Sequence, residues 1–147
     1  MLLSLLSFFG VLSLPLVLVF LVLEIIADWK IFQKAGEPGW KSIIPVYNEY
    51  TAYRIVWRVE FFWISFALNL LAGILQSWYE DSTASTAVGI LIMIPSMLAA
   101  ILGIVYSVKT ARAFGKGTGF ILGLIFLNPV FRIILGFGSA QYLGADR

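Results

Sequence analysis

At 147 residues the chain is long enough for one domain, and 61% of it is hydrophobic against 12% charged. With a mean hydropathy of +0.95 it has too little polar surface to cover a water-soluble globule, in which about a quarter of residues carry charge. The formal charge is +2, Cys and His are absent, and the bases are spread along apolar segments, which excludes disulfides, haem ligation by His or Cys, the usual zinc sites, histidine acid–base catalysis and a nucleic-acid partner.

Four apolar stretches run from Leu2 to Ala27, Phe61 to Trp78, Ala87 to Val108 and Gly119 to Gly138. Each is close to the ~20 residues that cross a ~30 Å hydrocarbon layer. They predict an all-α polytopic membrane protein, one domain over 1–147 with four spans near 2–27, 55–78, 87–108 and 118–138. Eight of the ten Lys and Arg residues lie in or beside the connections 28–54 and 109–118, whereas Tyr79 to Ser85 carries two acids and no base. By the positive-inside rule both basic loops are cytoplasmic and both termini lie outside, in a bacterial cytoplasmic membrane.

The first stretch begins without a positive charge, exceeds a signal-peptide core and is followed by no small-residue cleavage site, so it reads as a permanent span. Pro15 within it predicts a kink. Beyond Trp29, the residues Gly36, Pro38 and Gly39 interrupt any regular helix. The segment 36–50 is apolar and aromatic yet too short to span, and is expected at the cytoplasmic interface or dipping into it. Trp40, Tyr47, Tyr50 and Tyr53 suit that depth. A helix from Tyr50 through Val59 into the second span places Arg54 and Arg58 on one face.

In the third span Ala99, Gly103 and Ser107 recur every four residues beside Ser96 and Ala100, and Gly119 and Gly123 repeat that spacing in the fourth. Small residues in this register permit close helix approach, either within the chain or through self-association. The loop Gly115-Lys116-Gly117-Thr118 lacks the first Gly of a phosphate-cradling motif and joins two apolar helices, so it reads as a topogenic hairpin.

Polar groups at membrane depth are the functional candidates, because burying them is costly. One set is Glu24, Arg54, Arg58 and Glu60 near the cytoplasmic side, with Glu24 placed to pair with either arginine. The second is Asn69, Asn128 and Arg132. In a continuous fourth span Arg132 would lie ~20 Å from the cytoplasmic end. Pro129 frees a backbone carbonyl one turn earlier for Asn128 or Arg132 to satisfy. Ser42 beside Lys41 has no positioned base, and Asp28, Asp81 and Asp146 all sit at span ends. No catalytic constellation, cofactor or metal site is expected.

The run Gly36-Glu37-Pro38-Gly39-Trp40-Lys41-Ser42-Ile43-Ile44-Pro45-Val46-Tyr47-Asn48 resembles the A-G-x-P-G-W-x-x-I-I-P-x-Y-N signature of an uncharacterised bacterial four-span membrane family. The segments Phe114 to Gly117, Gly123-Leu124, Asn128 to Phe131, Phe137-Gly138 and Tyr142 to Gly144 are similar to its C-terminal half. Some members are described alongside or fused to signal peptidase I. The resemblance implies no activity, and no peptidase dyad is present here. It singles out Pro38, Gly39, Trp40, Pro45, Tyr47 and Asn48 as a rigid interfacial element: a simple anchor, a docking surface or a pore-lining re-entrant segment.

These features point to a non-enzymatic integral membrane protein acting through helix or loop contacts, as an accessory to envelope or secretion machinery. The alternatives are a small homo-oligomeric channel or transporter lined by Asn69, Asn128 and Arg132, and a lipid-binding protein. The expected partners are membrane lipids, a second copy or another membrane protein.

Overall fold

The structure, a computed structural model, describes residues 2–81 and 86–145, with side chains from 14 to 79 and 89 to 145. All regular structure among the described residues is helical. The helices are α1 (Leu2–Lys34), α2 (Pro45–Val56), α3 (Val59–Asp81), α4 (Thr86–Ala113), α5 (Thr118–Phe126) and α6 (Asn128–Phe137), with a short 3-10 turn at Gly39–Ser42. Residues 80–85, most of the acidic connection, lie outside the described side chains.

Glycine ends both α1 and α4. Gly36 (φ 77) and Gly115 (φ 63) take the left-handed conformation. Each is followed by a residue whose N–H reaches back to the helix: Glu37 to the carbonyl of Phe32, and Lys116 to that of Ala111. With the shorter bonds Gly36 to Gln33 and Gly115 to Arg112, these are paired C-terminal caps that satisfy otherwise free carbonyls.

The expected continuous helix from Tyr50 into the second span is instead two helices. α2 stops at Val56 because Trp57 leaves helical geometry. Its ring is buried and stacks on Phe61, with centroids 3.8 Å apart. Arg54 and Arg58 therefore do not share one helix face.

The expected fourth span is also absent as one helix. The chain breaks at Leu127 (φ −132, ψ 46), and α6 turns back alongside α5. The Leu143 N–H donates to the Ala113 carbonyl at 2.7 Å, and Phe131 of α6 packs on Phe120 with ring centroids 5.1 Å apart. The entry to α5 and the exit from α6 therefore lie at one end of the molecule. Helices of 9 and 10 residues are about 14–15 Å long, half the ~30 Å needed to cross. Asn-Pro at 128–129 supplies the physical cause. Pro129 sits in the first turn of α6, where its missing N–H costs nothing. The Asn128 Nδ2 donates to the Leu124 carbonyl at 3.1 Å, closing the last turn of α5.

α3 and α4 pack together as an antiparallel pair, and the backbone of α1 does not come close to either among the described residues. The α5–α6 hairpin bridges the gap, α6 lying on α1 and α5 on α4. Its tip is open, with Phe126 79% exposed. The buried core is gathered at the opposite, basic end, where Ile31, Phe32, Tyr53, Val56, Phe62, Phe114 and Leu135 meet. Along α3 and α4 only 6% of each apolar window is buried. Both helices are long and apolar enough to cross a membrane, over Val59–Tyr79 and Gly89–Ala113. Exposed Leu, Ile, Val, Trp and Met side chains cover them and α1 from Leu14 onward, a surface compatible with membrane insertion.

The small-residue register in α4 does not carry close helix packing. A Cβ at Gly103 would meet nothing within 4 Å. Ala100, Gly103 and Ser107 instead line a gap beside α5. The close approach made possible by glycine occurs at Gly123, against the Phe131 ring, and at Gly136, against the Ala27 backbone.

Candidate functional site

One face of α1 presents Leu21, Glu24, Ile25 and Asp28 at the 3–4-residue spacing of a helical stripe. α6 presents Asn128 and Arg132, one turn apart, toward that stripe. The 3-10 turn and the start of α2 supply Ser42, Ile43, Pro45, Asn48 and Glu49. Together these residues line a half-open cavity of about 390 Å³, within the roughly 300–1,000 Å³ range of small-molecule sites.

At its floor the Arg132 Nη2 lies 2.7 Å from the Asp28 Oδ1. Asp28 is only 5% exposed. The Asn48 Nδ2 donates to the other carboxylate oxygen, Oδ2, at 2.9 Å. A buried carboxylate is thus held by a guanidinium from α6 and an amide from α2, so three separate chain segments converge on one charge. The cavity side chains run from Leu21 and Ile25, inside the apolar stretch of α1, to Ser42, Asn48 and Glu49 at the basic end. It therefore straddles an apolar–polar boundary.

A set of side-chain bonds positions these walls. Gly39 lies flat on the Trp29 indole, leaving no room for a Cβ. Lys41 pairs with Glu37 at 2.6 Å, and Arg54 approaches the same carboxylate at 3.8 Å. The Lys34 Nζ donates to the carbonyls of Leu135 and Gly138 at 2.6 and 2.7 Å, fastening the end of α6 to α1. Burial, with the neighbouring charges of Lys30 and Lys116, lowers the Lys34 ammonium from its ordinary range. Trp40, Tyr47 and Tyr50 stack in sequence, at 5.8 and 5.9 Å between centroids.

Of the expected polar set, Asn128 and Arg132 come together and Asn69 does not. The Asn69 amide is exposed and donates to the Ser65 carbonyl of its own helix at 2.8 Å. The hairpin brings Arg132 against Asp28 of α1. Glu24 pairs with neither Arg54 nor Arg58. Those arginines engage Glu37 at 3.8 Å and Glu60 at 3.2 Å, while Glu24 lines the cavity near Arg132. Of the six residues of the interfacial element, Pro45 and Asn48 line the cavity and Gly39 lies against the Trp29 indole of α1, while Pro38 and Trp40 are exposed. The Asn128 amide meets the Leu124 carbonyl, one residue before the Ile125 carbonyl that Pro129 would leave free.

Asp28, Ser42 and Glu49 are the site residues that sequence reasoning missed. Asp28 was legible in one respect: it lies four residues after Glu24 on one helix face. Ser42 and Glu49 carry no local signal, since only the fold brings their loop against α1. The Asn-Pro dipeptide is a recognised turn signal and marked the hairpin that recruits Arg132.

No match is found among curated proteins or solved structures. The sequence pattern of a family of unknown function (DUF5684) matches residues 40–145, a stretch that includes α2 through α6 and the Ser42, Asn48, Asn128 and Arg132 contributions to the cavity, so the chain belongs to that family.

Proposed function

We propose that this chain is a non-enzymatic integral membrane protein that works by binding, and that it holds an amphiphilic ligand in the cavity between α1, α2 and α6. The supporting observation is the gradient of that cavity's lining, from Leu21 and Ile25 through Asp28 to Ser42, Asn48 and Glu49. A lipid presents the same gradient from acyl chain to headgroup. In this reading α1, α3 and α4 cross a bacterial cytoplasmic membrane. The α5–α6 hairpin enters from the cytoplasmic side and returns to it, which is tolerable at depth because it is buried between protein helices. The basic loops and residues 138–145 face the cytoplasm, and the start of α1 lies on the other side. The aromatic stack Trp40–Tyr47–Tyr50 then rests at headgroup depth.

Native mass spectrometry of the detergent-extracted chain tests the reading. A single lipid is expected to remain on the native chain. Widening the rim side chains, in Ile25→Trp with Ile43→Trp, should cut its retention about tenfold while leaving helical content unchanged. Equal retention by the two proteins would sink the reading.

A further inference from the structure

We propose that the cavity selects a primary ammonium group, carried by a lipid headgroup or by a free amine; this rests on the binding reading above and names its ligand class. The cavity's hydrogen-bond donors and acceptors do not balance. The donors identified in the cavity are engaged: the Arg132 guanidinium lies against Asp28, the Asn48 amide donates to Asp28 Oδ2, and the Asn128 amide donates to the Leu124 carbonyl. Acceptors remain. Ser42 Oγ and Asn48 Oδ1 are buried atoms with no hydrogen-bond partner, and both residues line the cavity. Asp28 itself is satisfied, one carboxylate oxygen by Arg132 and the other by the Asn48 amide. Ser42 is 2% exposed, so bulk water does not reach it freely.

Leaving buried acceptors empty costs free energy, and a ligand that donates to them recovers it. A primary ammonium brings three N–H donors, enough for both vacant acceptors. A quaternary ammonium brings none, and a phosphate, which brings only acceptors, can take the Ser42 hydroxyl but leaves Asn48 Oδ1 unpaired. Net charge points the same way, with the carboxylates of Glu24, Asp28 and Glu49 set against the one guanidinium of Arg132. A bare metal ion fits less well. Among the described residues no three carboxylates converge closely enough to hold one, whereas hard cations take 6–8 oxygen ligands in the case of calcium. The apolar rim of Leu21, Ile25 and Ile43 suits the glycerol and upper acyl segment of a phospholipid.

The test uses the full chain in nanodiscs containing, at equal mole fraction and with identical acyl chains, phosphatidylethanolamine, its N,N-dimethyl derivative, phosphatidylcholine or phosphatidylglycerol. Retained lipid is read by native mass spectrometry. Retention should fall at each loss of N–H donors, with phosphatidylethanolamine held about tenfold over phosphatidylcholine. Ser42→Ala removes one acceptor with almost no change in volume and should reduce that preference about fivefold, the order set by one hydrogen bond. Glu24→Gln, at a half-buried wall position, provides a second variant that leaves the Asp28–Arg132 pair in place and should also lower the preference. Displacement of the lipid by soluble ethanolamine would identify a free amine as a sufficient ligand. Failure to displace it, with the headgroup order intact, would identify the lipid as the source. Equal retention of all headgroups, or a preference for phosphatidylglycerol, overturns the ammonium assignment and leaves the binding reading standing. Retention of no lipid and no amine overturns both.

Discussion

Arg132 of α6 and Asp28 of α1 form a contact ion pair at 2.7 Å, although 104 residues separate them in the chain. Each is the other's main compensation for burial. Removing one partner leaves an uncompensated charge, so Asp28→Asn and Arg132→Gln should each destabilise the protein by about 3 kcal/mol. Combining them should cost less than the sum, because the double variant leaves no isolated charge. Thermal unfolding in detergent, read as a double-mutant cycle, checks this. Strict additivity would show that the two side chains are not coupled.

The hairpin predicts which positions share a side of the membrane. The chain contains no cysteine, so single cysteines report without background. Gly115→Cys and Gln141→Cys should both label from the cytoplasmic side, with Trp78→Cys labelling from the other. A crossing helix between 118 and 138 would instead make Gly115 and Gln141 label oppositely, and would overturn the hairpin.

Glycine substitutions should separate by what surrounds them. A Cβ on Gly136 would lie 2.6 Å from the Ala27 carbonyl oxygen and 2.7 Å from its Cα, both backbone atoms that cannot rotate away. Gly136→Ala should therefore push α6 off α1 and cost at least about 2 kcal/mol, the scale of an overpacked core. Gly103→Ala enters open space and should be neutral or slightly stabilising, since alanine favours the helix by up to ~1 kcal/mol. Melting temperatures of the two variants decide it, and a comparable loss in both would contradict the packing described.

Lys34 ties the end of α6 to α1 through two carbonyls. Lys34→Met should cost about 1–2 kcal/mol by leaving both unpaired. There is also a pH signature. Burial and the neighbours Lys30 and Lys116 lower the Lys34 ammonium below its ordinary 10.5, so the native state releases this proton before the unfolded chain does. Stability contributed by this group therefore rises with pH from the lowered value up to about 10.5, and levels off above it. The rise should be flattened in Lys34→Met, as measured by unfolding temperature across that window. A rise of the same size in the variant would assign the effect to another group.

Much of this protein follows from its sequence alone. The apolar lengths of α1, α3 and α4 require helices that shield their own backbone bonds, and the glycines at 36 and 115 end two of those helices with left-handed caps. The basic residues of 28–54 and 109–118 meet at one end, as their distribution implied. Long-range pairing was not legible, because hydropathy measures the burial of a segment and not the direction in which the chain leaves it. Residues 118–138 are apolar enough to read as one crossing helix. Asn128-Pro129 allows a break there, but only packing decides the direction in which the chain leaves Leu127, since the reversed α6 gains the Ala27 backbone, the Phe120 ring and the Asp28 carboxylate as partners. The same reversal brings Arg132 of α6 against Asp28 of α1. It converts an isolated intramembrane charge into one wall of a cavity whose other walls, Asp28, Ser42 and Asn48, lie about a hundred residues away in the chain.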